Sequence, residues 1–153
     1  MEINKKATHA SRNTTTGLIF EEKVKMEENG IDISKHNLYR FLKERKVDWQ
    51  NYISKKLLPD EAYYDEINNK VVIYEKKYQQ TAGSADEKPQ TCAFKIYEFR
   101  KLFSSLNITD VSYIYIFNEW FKKPEYSDML SYIKSVNGCD YIFANWFFKK
   151  NMI

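Results

Sequence analysis

At 153 residues the chain is the size of one ordinary domain, which excludes a multidomain machine and leads us to expect one fold and one site. Lys and Arg number 24 against 21 Asp and Glu, a net charge of +3 with both signs intermixed, so a histone-like or tail-driven polyanion binder is excluded. Twelve Tyr, ten Phe and three Trp provide large side chains for a core, which disordered chains lack.

A mean hydropathy of −0.64, with no apolar run long enough to cross a bilayer, argues against a membrane span. The opening MEINKKATHASRNTTTG is basic but is followed by no apolar stretch of the secretory kind, so a cytoplasmic protein is expected. Cys92 and Cys139 are too few for a disulfide framework and lack zinc-site spacing. His9 and His36 stand apart from any Ser or Cys motif, which leaves a hydrolase triad without parts. Chemistry is therefore expected from carboxylates and lysines.

Residues 1–12, rich in Lys, Asn, Thr and Ser, read as a flexible tail, and 13–153 as a single domain. Thr14, Thr15 and Thr16 offer caps for a helix running to Asn29-Gly30, with Phe20 and Val24 facing inward and Glu21 at the border of that face. Ser34 is expected to cap a second helix, with Leu38, Phe41 and Leu42 inside and Lys35, Arg40, Lys43, Arg45 and Lys46 outside. Pro59 marks a boundary before a strand.

Residues 60–79 carry Tyr, Val and Ile around Asn68-Asn69, and an Asn pair tolerates the positive φ angles of a two-residue hairpin turn. Pairing across that turn puts Ile67 opposite Lys70, Asp65 opposite Val72, and Asp60 near Lys77. Glu75, Lys77 and Gln79 share one strand face. The segment 80–91 is a loop, and Thr91 is expected to cap a helix to about Phe103 that carries Phe94, Tyr97 or Glu98, and Lys101 on successive turns. The apolar run 111–118 predicts a strand buried on both faces. Tyr126, Met129, Leu130 and Ile133 mark a helix after Pro124 that Gly138 ends, and 140–148 form a last strand. The sum is an α/β domain with a mixed central sheet flanked by helices.

One constellation carries a specific chemical logic. Asp60 and Glu75 supply hard oxygens of the kind Mg²⁺ prefers, on adjacent strands, and Lys77 follows on the same face. Phosphodiester hydrolysis needs non-bridging oxygens neutralised, a water positioned and a leaving oxygen stabilised, and two carboxylates, a divalent ion and an ammonium meet those needs. Glu21 offers a further acid from the helix side, and Gln79 a hydrogen-bonding group for water or phosphate. Trp120, Phe121, Trp146, Phe147 and Phe148 are read as core or dimer-interface residues, with base stacking as the alternative.

Gly17 to Glu21, Pro59-Asp60, and Val71 to Lys77 ending in Glu-x-Lys, followed by the 91–118 segment, together resemble the PD-(D/E)XK nuclease superfamily. The stretch Gly83-Ser84-Ala85-Asp86-Glu87-Lys88 looks like one that follows Glu-x-Lys in a number of type II restriction endonucleases. Gln90 and Tyr97, seven apart, depart from the four-residue spacing of RecB-like members. The resemblance implies a restriction-endonuclease-like core and a Mg²⁺-dependent DNA endonuclease in which Mn²⁺ substitutes. Asp60 and Glu75 would be its metal ligands, Lys77 its catalytic lysine and Glu21 its helix acid, in a homodimer whose two-fold axis matches duplex DNA. A structure-specific nuclease on the same core, or a non-catalytic nucleic-acid-binding module, are the alternatives.

Overall fold

A computed structural model describes residues 17, 19–21, 24–26, 28–83 and 86–144. Its centre is a five-stranded sheet in the spatial order β1-β2-β3-β4-β5, comprising Ile31–Asp32, Glu61–Asp65, Lys70–Lys77, Asp110–Phe117 and Cys139–Phe143. Strands β1, β2 and β3 run antiparallel, whereas β3, β4 and β5 run parallel. Parallel neighbours require crossovers, and the helices α2 (Cys92–Ser104) and α3 (Ser127–Ser135) occupy them. Helix α1 (Asn37–Glu44) precedes the hairpin. The expected α/β class with a mixed, helix-flanked sheet is what the chain forms.

Alternation along the strands divides the apolar residues between two cores. One face contributes Ala62, Val71, Ile73, Val111, Tyr113, Tyr115 and Phe117 to the main core, where Leu38, Phe41 and Leu42 of α1, Ile96, Phe99 and Phe103 of α2, and Met129 and Ile133 of α3 meet them. The other face buries Val72, Tyr74 and Ile116 beneath Phe20 and Val24. Strand β4, the expected apolar run, lies inside the sheet between β3 and β5.

The hairpin register differs from the two-residue-turn expectation. Residues 66–69 all lie in the turn, Asp65 pairs with Lys70, and Glu61 pairs with Tyr74. The cause is Asp65, whose carboxylate accepts from the amides of Ile67 and Asn68 at 3.0 and 3.2 Å and from Asn68 Nδ2 at 2.7 Å. That side-chain cap widens the turn, while Asn69 alone adopts a positive φ of 51°. The shift is by two residues, so every side chain keeps its face, and the ladder extended by one step sets Asp60 across from Glu75 rather than Lys77.

Other boundaries move for local reasons. Residues 17 and 19–21 are helical, but 24–26 and 28 are not, so the first helix does not reach Gly30. Gly30, at φ 127°, instead brings its backbone against the Tyr64 carbonyl, where a Cβ would lie 2.5 Å from the oxygen, and leads into β1, a strand with no sequence signal. Ser34 does not cap α1, because its hydroxyl accepts from the Ala62 amide at 2.9 Å. Arg45 leaves the expected basic face to stack 3.7 Å over the Phe41 ring. The last strand begins at Cys139 and ends at Phe143. The tail 1–12, Thr14 to Thr16, and Trp146, Phe147 and Phe148 lie outside the described residues.

The N-terminal segment is fastened to the sheet by a buried ion pair. Lys76 points away from the main core, and its ammonium meets Glu61 Oε2 at 3.0 Å, with the two side chains only 4% and 5% exposed. The same ammonium donates to the Glu21 carbonyl at 2.9 Å, and Glu61 Oε1 accepts from the Met26 amide at 2.7 Å and the Tyr63 hydroxyl at 2.6 Å. Removing one partner strands a buried charge, so Lys76→Met is expected to lower the unfolding free energy by about 3–5 kcal/mol. Replacing both partners with apolar residues should recover most of that loss, as read by urea denaturation.

Candidate functional site

The site forms at the carboxyl end of β3, beside the chain as it enters β2, and beyond the carboxyl ends of parallel strands is where open α/β sheets bind ligands. Asp60 stands one residue before β2, placed by the preceding Pro59, whose carbonyl accepts the Lys35 amide at 2.8 Å. Its Oδ2 accepts the backbone amide of Lys76 at 2.9 Å, which fixes the carboxyl group against the strand that carries Glu75 and Lys77. Glu75 and Lys77 emerge on the main-core face, and Lys77 Nζ approaches Glu75 Oε1 at 3.4 Å. Tyr113 of the neighbouring strand lines the same groove as Glu75.

Electrostatics tie these groups together. Burial, then the Asp60 charge, pushes the Glu75 carboxyl up to about 7, against the opposing pull of Lys77 and the Tyr113 hydroxyl. Burial, then Asp60, also raises Glu21 above the ordinary carboxylate range, while Lys35, Lys77 and Lys76 pull it down. Asp60 is thus the acid that both others feel, with Glu75 on the main-core side and Glu21 on the side of the second core. Burial and the Glu75 charge raise Tyr113, which keeps its hydroxyl protonated and able to donate.

Of the four expected catalytic residues, Lys77 lies 3.4 Å from Glu75 and Asp60 is held on the Lys76 amide between them, whereas Glu21 and Asp60 line one groove with Lys35 and Lys76 and Glu75 lines another with Tyr113. Gln79 does not join them. Its side-chain amide turns to the Thr81 carbonyl, and its backbone is held by Asn118 at 3.2 and 2.7 Å. Asp86 braces the fold by accepting from Trp120 Nε1 at 3.3 Å. Trp120 also donates to Tyr126 at 2.9 Å, and Phe121 is buried in the main core, so both are structural.

Sequence reasoning missed several neighbours. Tyr113 depends on the β3–β4 register, which no sequence motif fixes. Glu98 faces the same groove as Glu75. Lys35 shares a groove with Glu21 and influences it, from a loop before α1 where it adopts a φ of 48° rather than from the helix face expected for it. Lys76 could have been found, because strand alternation sends it opposite Glu75 and Lys77 into the second core.

Among the described residues no three Asp, Glu, His or Cys side chains form a metal cage by themselves. Mg²⁺ does not require one, since it characteristically uses one or two carboxylates and takes its remaining ligands from water and substrate phosphate. Asp60 and Glu75 fit that role: they are hard donors whose mutual repulsion a divalent cation would relieve.

Compared with family models, with curated proteins and with solved structures, the chain matches none. No helix among the described residues is long and apolar enough to cross a membrane.

The raised Glu75 carboxyl has a definite sign in stability. Unfolded, it ionises near its ordinary 4.5, whereas folded it ionises near 7, so the cost of burying its charge is absent below about pH 4.5 and complete above about pH 7. At roughly 1.4 kcal/mol per pKa unit, Glu75→Gln is expected to stabilise the fold by about 1–3 kcal/mol at pH 8. The two proteins should unfold alike at pH 4, and urea titrations at both pH values check this.

Proposed function

We propose that the protein is a Mg²⁺-dependent DNA endonuclease with a restriction-endonuclease-like core, hydrolysing phosphodiester bonds at the Asp60, Glu75 and Lys77 end of the hairpin. One observation carries the reading: the Asp60 carboxylate takes the Lys76 amide at 2.9 Å, between Glu75 and Lys77, and Lys77 lies 3.4 Å from Glu75, so two acids and an ammonium are held at the end of one strand where the ribbon opens. Glu and Lys side chains that serve only solubility stay in water. Here Glu75 is largely buried at an energetic cost, which is the pattern of a functional carboxylate.

The residues divide the labour by chemistry. Asp60 and Glu75 would hold the cation, which supplies charge neutralisation for the phosphate's non-bridging oxygens. Lys77 donates to the attacking water and the equatorial oxygens, orienting the nucleophile and stabilising the negative charge that grows on the phosphate. Tyr113 lines the groove beside Glu75 and would offer its hydroxyl to the carboxylate. Glu21, tethered through its carbonyl to Lys76, presents an acid from the other side and would assist a water or a second ion. Each chain has one such site, so cutting both strands of a duplex calls for two copies, and Mn²⁺ is expected to replace Mg²⁺.

The test is nicking of supercoiled plasmid with and without Mg²⁺. Lys77→Ala and Asp60→Ala are each expected to reduce cleavage by about a hundredfold or more, with circular dichroism unchanged. Full activity in either variant, or metal-independent gel shifts by a parent protein that leaves the DNA whole, would contradict the proposal.

A further inference from the structure

On the main-core side of the site a groove of about 440 Å³ runs away from Glu75 between α2 and the segment 54–58. Leu58 and Phe94 line it, although they are 48% and 58% exposed. Tyr97, one turn along α2 and 56% exposed, lies beside Phe94 with ring centroids 6.3 Å apart and planes 27° apart. Lys101 continues the row, its ammonium 5.7 Å from the Tyr97 ring. The inward residues of α2 are Cys92, Ile96, Phe99, Leu102 and Phe103, so Phe94 and Tyr97 contribute nothing to the core.

The charges around this aromatic pair favour a polyanion. Lys55, Lys56 and Lys95 line the groove, against Glu98, which is paired with Lys95 at 3.9 Å, and Glu75 at the site end. Lys56 lies over Tyr39, 4.8 Å from its centroid. The centre of a protein–protein interface is depleted in lysine, which argues against a second copy of the chain as occupant. In a duplex the base faces are hidden in the stack and only the edges are offered, whereas an unpaired strand exposes faces on which Phe and Tyr stack.

Resting on the nuclease reading, we propose that the substrate is DNA with an unpaired stretch beside the scissile phosphate, its bases stacking on Phe94 and Tyr97 and its backbone drawn along Lys55 and Lys95 toward Glu75. Such a site acts on branched, frayed or single-stranded DNA in preference to plain duplex.

Fluorescence anisotropy in EDTA separates binding from cleavage. A 15-nucleotide oligothymidylate should bind more tightly than a duplex of equal length, and the Phe94→Ala, Tyr97→Ala double variant should bind it about tenfold or more weakly. Both side chains are exposed, so the variant should unfold at the parent's temperature. Equal or tighter binding of the duplex, or parental oligothymidylate binding by the double variant, overturns the proposal, as does a dimer that the two substitutions dissociate without changing oligothymidylate binding. A protein with the expected preference that cleaves no DNA in Mg²⁺ refutes the nuclease reading alone. Conversely, a protein that nicks plasmid but lacks any single-strand preference refutes the stacking surface alone.

Discussion

The buried Lys76–Glu61 pair joins the two halves of this molecule. A strand alternates, so the tripeptide Glu75-Lys76-Lys77 must send its middle residue to one side of the sheet and its outer residues to the other. On one side, Lys76 closes on Glu61 and reaches the carbonyl of Glu21, while Glu61 takes the Met26 amide, so the N-terminal segment is tied down at two points. On the other, Glu75 and Lys77 are left at the end of the main core. The backbone amide of Lys76 also holds Asp60. One residue therefore sets the positions of Asp60 and Glu21 relative to Glu75 and Lys77.

That arrangement works against stability. A carboxylate that is largely buried and sits near a second acid resists ionisation, and Lys77 with Tyr113 only partly offsets the penalty for Glu75. A domain selected for stability alone would place Gln or an apolar residue there. Retaining Glu75 makes physical sense if its charge is balanced by something that arrives from solution, and a divalent cation accompanying a phosphodiester fits that description. The exposed Phe94 and Tyr97 present a related tension, since apolar surface is left in water along a groove that leads to the same carboxylate.

Much of this was legible in the sequence, and the gaps have physical causes. The apolar run of β4, the amphipathic spacing of α3 and the Asn pair set among Tyr, Val and Ile placed most elements, and the two-residue period of a strand placed Glu75 and Lys77 on one face, because these depend on local sequence. The hairpin register was misplaced by two residues because Asp65 widens the turn through its own hydrogen bonds, a preference that the Asn pair masked. The error left the site intact, since a shift of two conserves facing. Strand β1 and the end of the first helix were lost because neither is set locally: β1 exists through its pairing with Tyr63 and Tyr64, and Met26 is held by Glu61 thirty-five residues away. Tyr113 was hidden for the same reason, as its place beside Glu75 follows from parallel strand pairing. Gln79 shared the expected face by counting, but its amide found a nearer carbonyl in its own loop.

The proposal that Asp60 and Glu75 share one cation is tested most directly by paramagnetic broadening, for which an 18.4 kDa chain is a suitable size. Substoichiometric Mn²⁺, titrated into ¹⁵N-labelled protein, should first erase the amide resonances of Asp60, Glu75, Lys76 and Lys77, and the Asp60→Asn, Glu75→Gln variant should retain them. Broadening that begins elsewhere, for example in the acidic groove around Asp86, Glu125 and Asp128, with the hairpin resonances still sharp, would contradict the account.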